Sequence, residues 1–111
     1  MALTQLARER WQAFFDIASR GLTAQMTKVE VTGLQLGDRI AADRVPLLGV
    51  SYEPKNDTLT LHLEGLEHRV VRPRAIHVEQ DGTVLRSFEA VDEDGVHHIV
   101  QFTTALELPA P

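Results

Sequence analysis

Residues 48–71 constrain this fold more than any other stretch, because two separate turns demand the same pair of faces. The first loop is Pro54-Lys55-Asn56-Asp57. Proline presets φ for an early turn position, and Asn and Asp close turns with local side-chain hydrogen bonds. A hairpin closed there sets Tyr52 opposite Leu59, Val50 opposite Leu61 and Leu48 opposite Leu63. The second turn, Glu64-Gly65, has two residues, with glycine free to take a positive φ. It sets Leu63 against Leu66, Leu61 against His68 and Leu59 against Val70. Side chains alternate along a strand, so one face reads Leu48, Val50, Tyr52, Leu59, Leu61, Leu63, Leu66, His68 and Val70. The other reads Gly49, Ser51, Thr58, Thr60, His62, Glu67, Arg69 and Val71. A slip of one residue at either turn would mix the two faces.

A sheet with one apolar face needs a cover, and residues 4–20 supply a candidate helix. Ala7, Trp11, Phe14, Phe15, Ala18 and Leu22 recur at steps of three and four, forming one stripe. Thr4 is placed to cap its start and Gly21 to end it in the left-handed conformation. The stripe holds the only Trp and two of four Phe. Core packing is preferred over a docking face, since burying an aromatic contributes on the order of 2–3 kcal/mol.

The remaining chain reads as strands. Thr27, Val29 and Val31 alternate with Lys28 and Glu30, and Gly37-Asp38 is a turn signal before a weaker strand over 39–45. Pro46 lacks an amide donor and marks an edge or break. Asp81-Gly82 and Asp94-Gly95 are hairpin signals joining three further strands. Apolar groups on both faces there (Val91, Ile99, Val100, Phe102) imply a cover on both sides or a bulge that switches the inward face. Leu106 to Pro111 reads as a loose end. The expected class is α+β: an N-terminal helix (4–20) on a curled antiparallel sheet or small partly open barrel of about six or seven strands. The strand ranges are 26–32, 39–45, 47–53, 58–64, 66–71, 75–80, 83–92 and 96–104, in a single domain spanning 1–111.

With 43% apolar and 24% charged residues, the composition is that of a globular domain. A net charge of −5 argues against nucleic acid and anionic membrane surfaces as partners, and no apolar run is long enough to span a bilayer. There is no cysteine, so thiol chemistry is excluded and a reducing compartment fits. With no signal-peptide pattern near Met1, the expected location is cytoplasmic.

His68 is the one polar side chain on the apolar face. A buried imidazole needs a partner; a backbone carbonyl or Tyr52 is favoured over a ligand or metal. No metal site is expected, because His97 and His98 are strand neighbours that point apart, His62 faces the side opposite His68 beside Glu67, and no HExxH spacing occurs. Arg69, Arg72 and Arg74 form a basic cluster suited to a phosphate or carboxylate. Neutralisation by Glu64, Glu79 and Asp81 in a surface network is the preferred reading. Ser19, Ser51 and Ser87 lie in no nucleophile context, so no catalytic residue and no cofactor is assigned.

Several stretches resemble a known pattern: Trp11 with Phe14-Phe15-Asp16 and Ser19-Arg20, then Val29-Glu30-Val31, then Pro46 through Tyr52. The blocks Asp57-Thr58-Leu59 through Gly65-Leu66-Glu67-His68 and Arg72 through Val78 follow, with the late Asp94-Gly95 turn. Together they resemble a family of short bacterial proteins known as domain of unknown function 5335. The resemblance implies a bacterial source and a stand-alone domain, and no activity. It marks His68 and Pro73 as motif positions without giving them roles.

The leading expectation is a non-enzymatic binding or assembly module with a protein partner, including a homodimer joined through sheet edges or leftover apolar surface. The alternative is a small-ligand or anion-binding domain centred on His68, Arg69, Arg72 and Arg74, with Tyr52 nearby.

Overall fold

A computed structural model describes residues 2–110. The chain runs β1 (Ala2–Leu6), a short 3-10 turn (Arg8–Arg10), α1 (Trp11–Gly21), β2 (Gln25–Gly33) and β3 (Gly37–Glu53). It continues through β4 (Thr58–Leu63), β5 (Leu66–Val71), β6 (Pro73–Asp81), β7 (Val84–Asp92) and β8 (His97–Glu107). All eight strands lie in one antiparallel sheet, ordered β1-β6-β7-β8-β2-β3-β4-β5. The sheet is not closed; it gains a strand at Ala2–Leu6, and the expected strands 39–45 and 47–53 are one strand, β3. Among the described residues, no helix is long and apolar enough to cross a membrane.

The β4–β5 register is the expected one: Leu63 opposite Leu66, Leu61 opposite His68, Leu59 opposite Val70. In β3–β4, Tyr52 faces Leu59 and Val50 faces Leu61, but Leu63 faces Leu47 rather than Leu48. A bulge between Leu47 and Gly49 shifts the pairing, and an extra residue in one strand flips every side chain beyond it. Leu47 is therefore fully buried and Leu48 is 55% exposed. Gly49, at the end of the bulge, pairs with His62 as expected. Leu66 lies at the margin and is exposed.

The helix begins at Trp11, not Thr4. Residues 2–6 extend along β6 instead, with Thr4 opposite Val78, exposed and in no capping position. Pairing with a neighbouring strand satisfies those backbone groups and overrides the helical spacing. Trp11, Phe15 and Ala18 are buried as expected, whereas Ala7 is exposed. Trp11 stands edge-on to Tyr52 of β3, 5.2 Å between centroids at 89°, and its indole N–H donates to the Leu6 carbonyl at 2.9 Å. Phe15 meets Phe88 of β7 at 5.1 Å. The helix thus fills the concave side of the sheet from β3 across to β7.

Gly21 is not a left-handed cap, since its φ is not among the positive ones. A Cβ there would lie 2.8 Å from Cδ of Pro109 and 2.9 Å from the Glu107 carbonyl oxygen, so glycine answers a close approach of the C-terminal segment. That segment is not loose: β8 runs to Glu107 with Leu106 buried, and the Leu108 amide donates to Thr83 O at 2.8 Å. Its last residue lies outside the described residues.

Pro46 does not divide two strands. β3 runs through it, opposite Met26, and its carbonyl accepts the Glu64 amide at 3.0 Å. The loop between β6 and β7 is Gly82-Thr83, because Asp81 pairs with Val84; only Gly82 has a positive φ there. The C-terminal strands do contain a bulge, between Leu85 and Ser87.

β2 first pairs with β3 at Gln25 and Leu47, so the end of β3 has no strand on that side. The helix takes the vacant place. The Ser19 hydroxyl donates to Val50 O at 2.7 Å and accepts from Val50 N–H at 2.9 Å. One side chain satisfies both groups of a buried strand residue.

Ser19→Ala removes both bonds and leaves two backbone groups unsatisfied, so urea melts should show a loss of about 1–3 kcal/mol; an unchanged midpoint would contradict the clamp. Gly21→Ala ordinarily stabilises a helix by up to about 1 kcal/mol. Here the contact with Glu107 and Pro109 should reverse the sign, with a loss of about 1–3 kcal/mol, read in the same melts.

Candidate functional site

β5 ends at Val71, and Arg72 takes a φ of +52°. At that corner the chain leaves one end of the sheet and starts β6, which pairs with β7. The free side of β5 is thereby brought beside β7 and β8, with side chains rather than a ladder across the seam.

His68 projects from β5 on the inner face, opposite Leu61. Its partner is neither Tyr52 nor a carbonyl. His68 Nε2 lies 2.9 Å from Nδ1 of His98 on β8, with ring centroids 5.1 Å apart. His98 is only 8% exposed, and its Nε2 lies 3.0 Å from Asp92 Oδ2 at the end of β7. Asp92 is fixed in turn: its Oδ1 accepts the amides of Asp94 at 2.9 Å and Val96 at 3.1 Å. The result is a continuous chain, Asp92–His98–His68, from a turn to the edge strand. With both rings neutral, His98 donates to Asp92 through Nε2–H and accepts from His68 at Nδ1.

Burial, and then the His98 ring beside it, lowers the His68 pKa below its ordinary 6.5. For Asp92, burial acts upward but is outweighed by the His98 bond and the two amides, so its carboxyl stays below the usual 3.8.

The other residues expected at a site are dispersed. Arg69 follows His68 on the opposite face of β5 and pairs with Glu67 at 3.0 Å. Arg72 pairs with Glu93 at 2.6 Å, and exposed Arg74 lies beside the Gly95 turn. The acids engaged are therefore Glu67 and Glu93, not Glu64, Glu79 or Asp81; Glu79 accepts from Ser87 at 3.0 Å. Tyr52 belongs to a second cluster. Its hydroxyl donates to Asp57 Oδ1 at 2.6 Å and accepts from Arg8 at 3.3 Å. Arg8 also reaches Asp57 at 3.2 Å and the Pro73 carbonyl at 2.9 Å, with its guanidinium 4.3 Å above the Trp11 ring. This cluster ties the N-terminal segment to the β3–β4 loop and the β5–β6 corner.

His62 pairs with Glu67 at 3.3 Å, as expected. His97 and His98 do point apart: His97 lies 3.0 Å from Glu89 on the outer face. His77 lies 3.6 Å from the same carboxylate, its Nδ1 buried without a hydrogen bond. Among the described residues no group of three such side chains is placed to hold a metal ion.

A cleft of about 720 Å³ lies between α1, β1, β6 and the C-terminal segment; Leu6, Phe14, Ile17, Val78 and Leu108 supply its apolar lining. A shallower one, about 520 Å³, is bordered by Arg8, Tyr52 and Asp57. Neither includes His68, His98 or Asp92.

Sequence reasoning missed His98, Asp92 and Arg8. The opposed directions of His97 and His98 were readable, but β5 and β8 stand four places apart in the sheet. Only the curl brings them together.

Because the folded His68 and Asp92 both hold protons more weakly than the unfolded chain, their contribution is complete above about pH 6.5. It falls as the pH drops towards the folded values, first His68 and then, below about pH 4, Asp92. The melting temperature should therefore decline between about pH 7 and 5, and His68→Leu should flatten that decline. An equally steep decline in the variant would assign it to other groups.

A model of a family described as "Family of unknown function (DUF5335)" matches residues 2–111. A protein of Aquifex aeolicus (strain VF5), itself described as uncharacterized, is 33% identical over 110 residues, covering 98% of this chain and 99% of the relative. No solved structure matches. Full-length agreement with the family model, together with this relative, shows that the chain belongs to the DUF5335 family of unknown function.

Proposed function

We propose that this chain is a non-enzymatic assembly module that joins a second copy of itself by strand addition at β1. The reading rests on one observation: β1 is an end strand of the sheet whose described residues carry no charge, proline or bulge. Exposed strand edges are normally blunted by charge, proline, bulges or a covering loop. Ala2-Leu3-Thr4-Gln5-Leu6 contains no charge and no proline, its pairing with β6 is unbroken, and Leu3 is 63% exposed. The opposite edge, β5, carries exposed Glu67 and Arg69 and lies against the seam.

An uncharged strand pairs with its own copy without like-charge repulsion. In a two-fold arrangement each copy presents the same patch, and the cleft beside β1 runs along the seam so formed. Its rim carries Glu9 and Arg10, one charge of each sign, so neither sign accumulates across the axis. Backbone pairing at an edge with side chains entering an adjoining groove is a recurrent mode of recognition.

Size-exclusion chromatography with light scattering, across a hundredfold range of concentration, tests the reading. A dimer is expected, and Leu3→Lys with Gln5→Lys should weaken it at least about tenfold, roughly 1.4 kcal/mol, with circular dichroism unchanged. A strict monomer at every concentration would overturn self-assembly. A dimer indifferent to both substitutions would overturn the place assigned to it.

A further inference from the structure

The seam between β5 and β8 is bridged by two facing imidazole rings, with His68 Nε2 2.9 Å from His98 Nδ1. We propose that this seam is a proton-operated latch, closed by the His68–His98 hydrogen bond and opened at β5 when both imidazoles are protonated. The inference is independent of assembly at β1.

Hydrogen-bond directions set the rule. With both rings neutral, His68 Nε2–H donates to His98 Nδ1, and His98 Nε2–H donates to Asp92. With one added proton on the pair, one ring still offers a lone pair to the other's N–H, so the contact survives. With a second proton, an N–H faces an N–H across 2.9 Å, and two cations face each other in a half-buried seam. No ring rotation restores an acceptor, since imidazolium has none. The latch therefore tolerates the first proton and fails at the second.

The surroundings confine the response to β5. The titratable group facing His68 is His98 of β8, with Asp92 of β7 behind it. β4 presents Leu61 opposite His68, and β2 presents Val31 opposite His98. Glu67, Arg69 and His62 lie on the outer face of β4 and β5. At the far end of the seam, Arg72 pairs with Glu93, and its amide donates to the Asp57 carbonyl at 2.8 Å. Arg74 and Asp94 flank the β7–β8 turn. These contacts hold the β5–β6 corner, and the ladder to β3 holds β4, while β5 moves away from β8. Opening would uncover Val70, which is 1% exposed in the closed form. Asp92 anchors His98, so the moving part is His68 and the strand that carries it.

Amide hydrogen exchange on the full chain, expressed as protection factors so that the intrinsic pH dependence cancels, reads the latch directly. Between about pH 7 and 5, protection over residues 66–71 should fall at least about tenfold, while residues 76–78 and 88–90 stay protected. His68→Gln should hold β5 closed throughout, because a carboxamide donates to His98 Nδ1 when that nitrogen is bare, accepts from it when it is protonated, and itself gains no proton. The same acid loss in His68→Gln, or loss of protection across the whole sheet together, would overturn the proposal. Should that variant not fold, ring-proton NMR of the wild type decides: β5 resonances must follow the second protonation of the His68–His98 pair. Shifts in β5 that follow the first, or remain constant while both rings become charged, would also overturn it.

Discussion

The contact between the aromatic face of α1 and the concave side of the sheet is the condition for everything else in this structure. An antiparallel sheet of eight strands in so short a chain has one large apolar surface and a single helix to cover it. The helix manages this by reaching two distant strands at once, Tyr52 on β3 through Trp11 and Phe88 on β7 through Phe15. Both contacts can form only if the sheet is curled. Fixing the helix there therefore also fixes the curvature.

Curvature in turn explains the bulges. β3 is 17 residues long and pairs with both β2 and β4, and a strand of that length cannot follow a tight curl without irregularities. They occur between Thr27 and Lys28, Val29 and Glu30, and Leu47 and Gly49, and each increases local twist. Where β3 outruns β2, Ser19 supplies the missing bonds. Where β5 meets β7 and β8, side chains do so: the histidine pair at one end and Arg72 with Glu93 at the other. The two ends of the sheet are thus treated differently. One is folded against the body of the molecule, and the other, β1, is left open beside an apolar cleft.

What the sequence disclosed and concealed follows from range. The β4–β5 hairpin was legible to the residue because Glu64-Gly65 and the alternation around it act locally, and the same holds for the pairing of Tyr52 with Leu59. The inward stripe of Trp11, Phe15 and Ala18 was legible for the same reason. The helix start was not, because residues 2–6 are held by β6, some seventy residues away. Leu48 and Leu47 exchanged places because a bulge leaves little local signature: a glycine in the strand, Gly49, stands beside it but does not give its direction. Gly21 was read as a cap, though its real neighbour is the C-terminal segment. At the candidate site, His68 stood out as a polar group on an apolar face, but its partner could not be named. That needed the order of the strands, and likewise nothing in the sequence joined Arg8 to Tyr52.

The most direct test of this account is the pattern of proton–proton nuclear Overhauser effects from α1 to the sheet in solution. The account predicts cross-peaks from the Trp11 indole to the Tyr52 ring and from the Phe15 ring to Phe88 in the same molecule, with the indole N–H protected from exchange. A Trp11 ring with contacts only to its own helix and a freely exchanging N–H would contradict it.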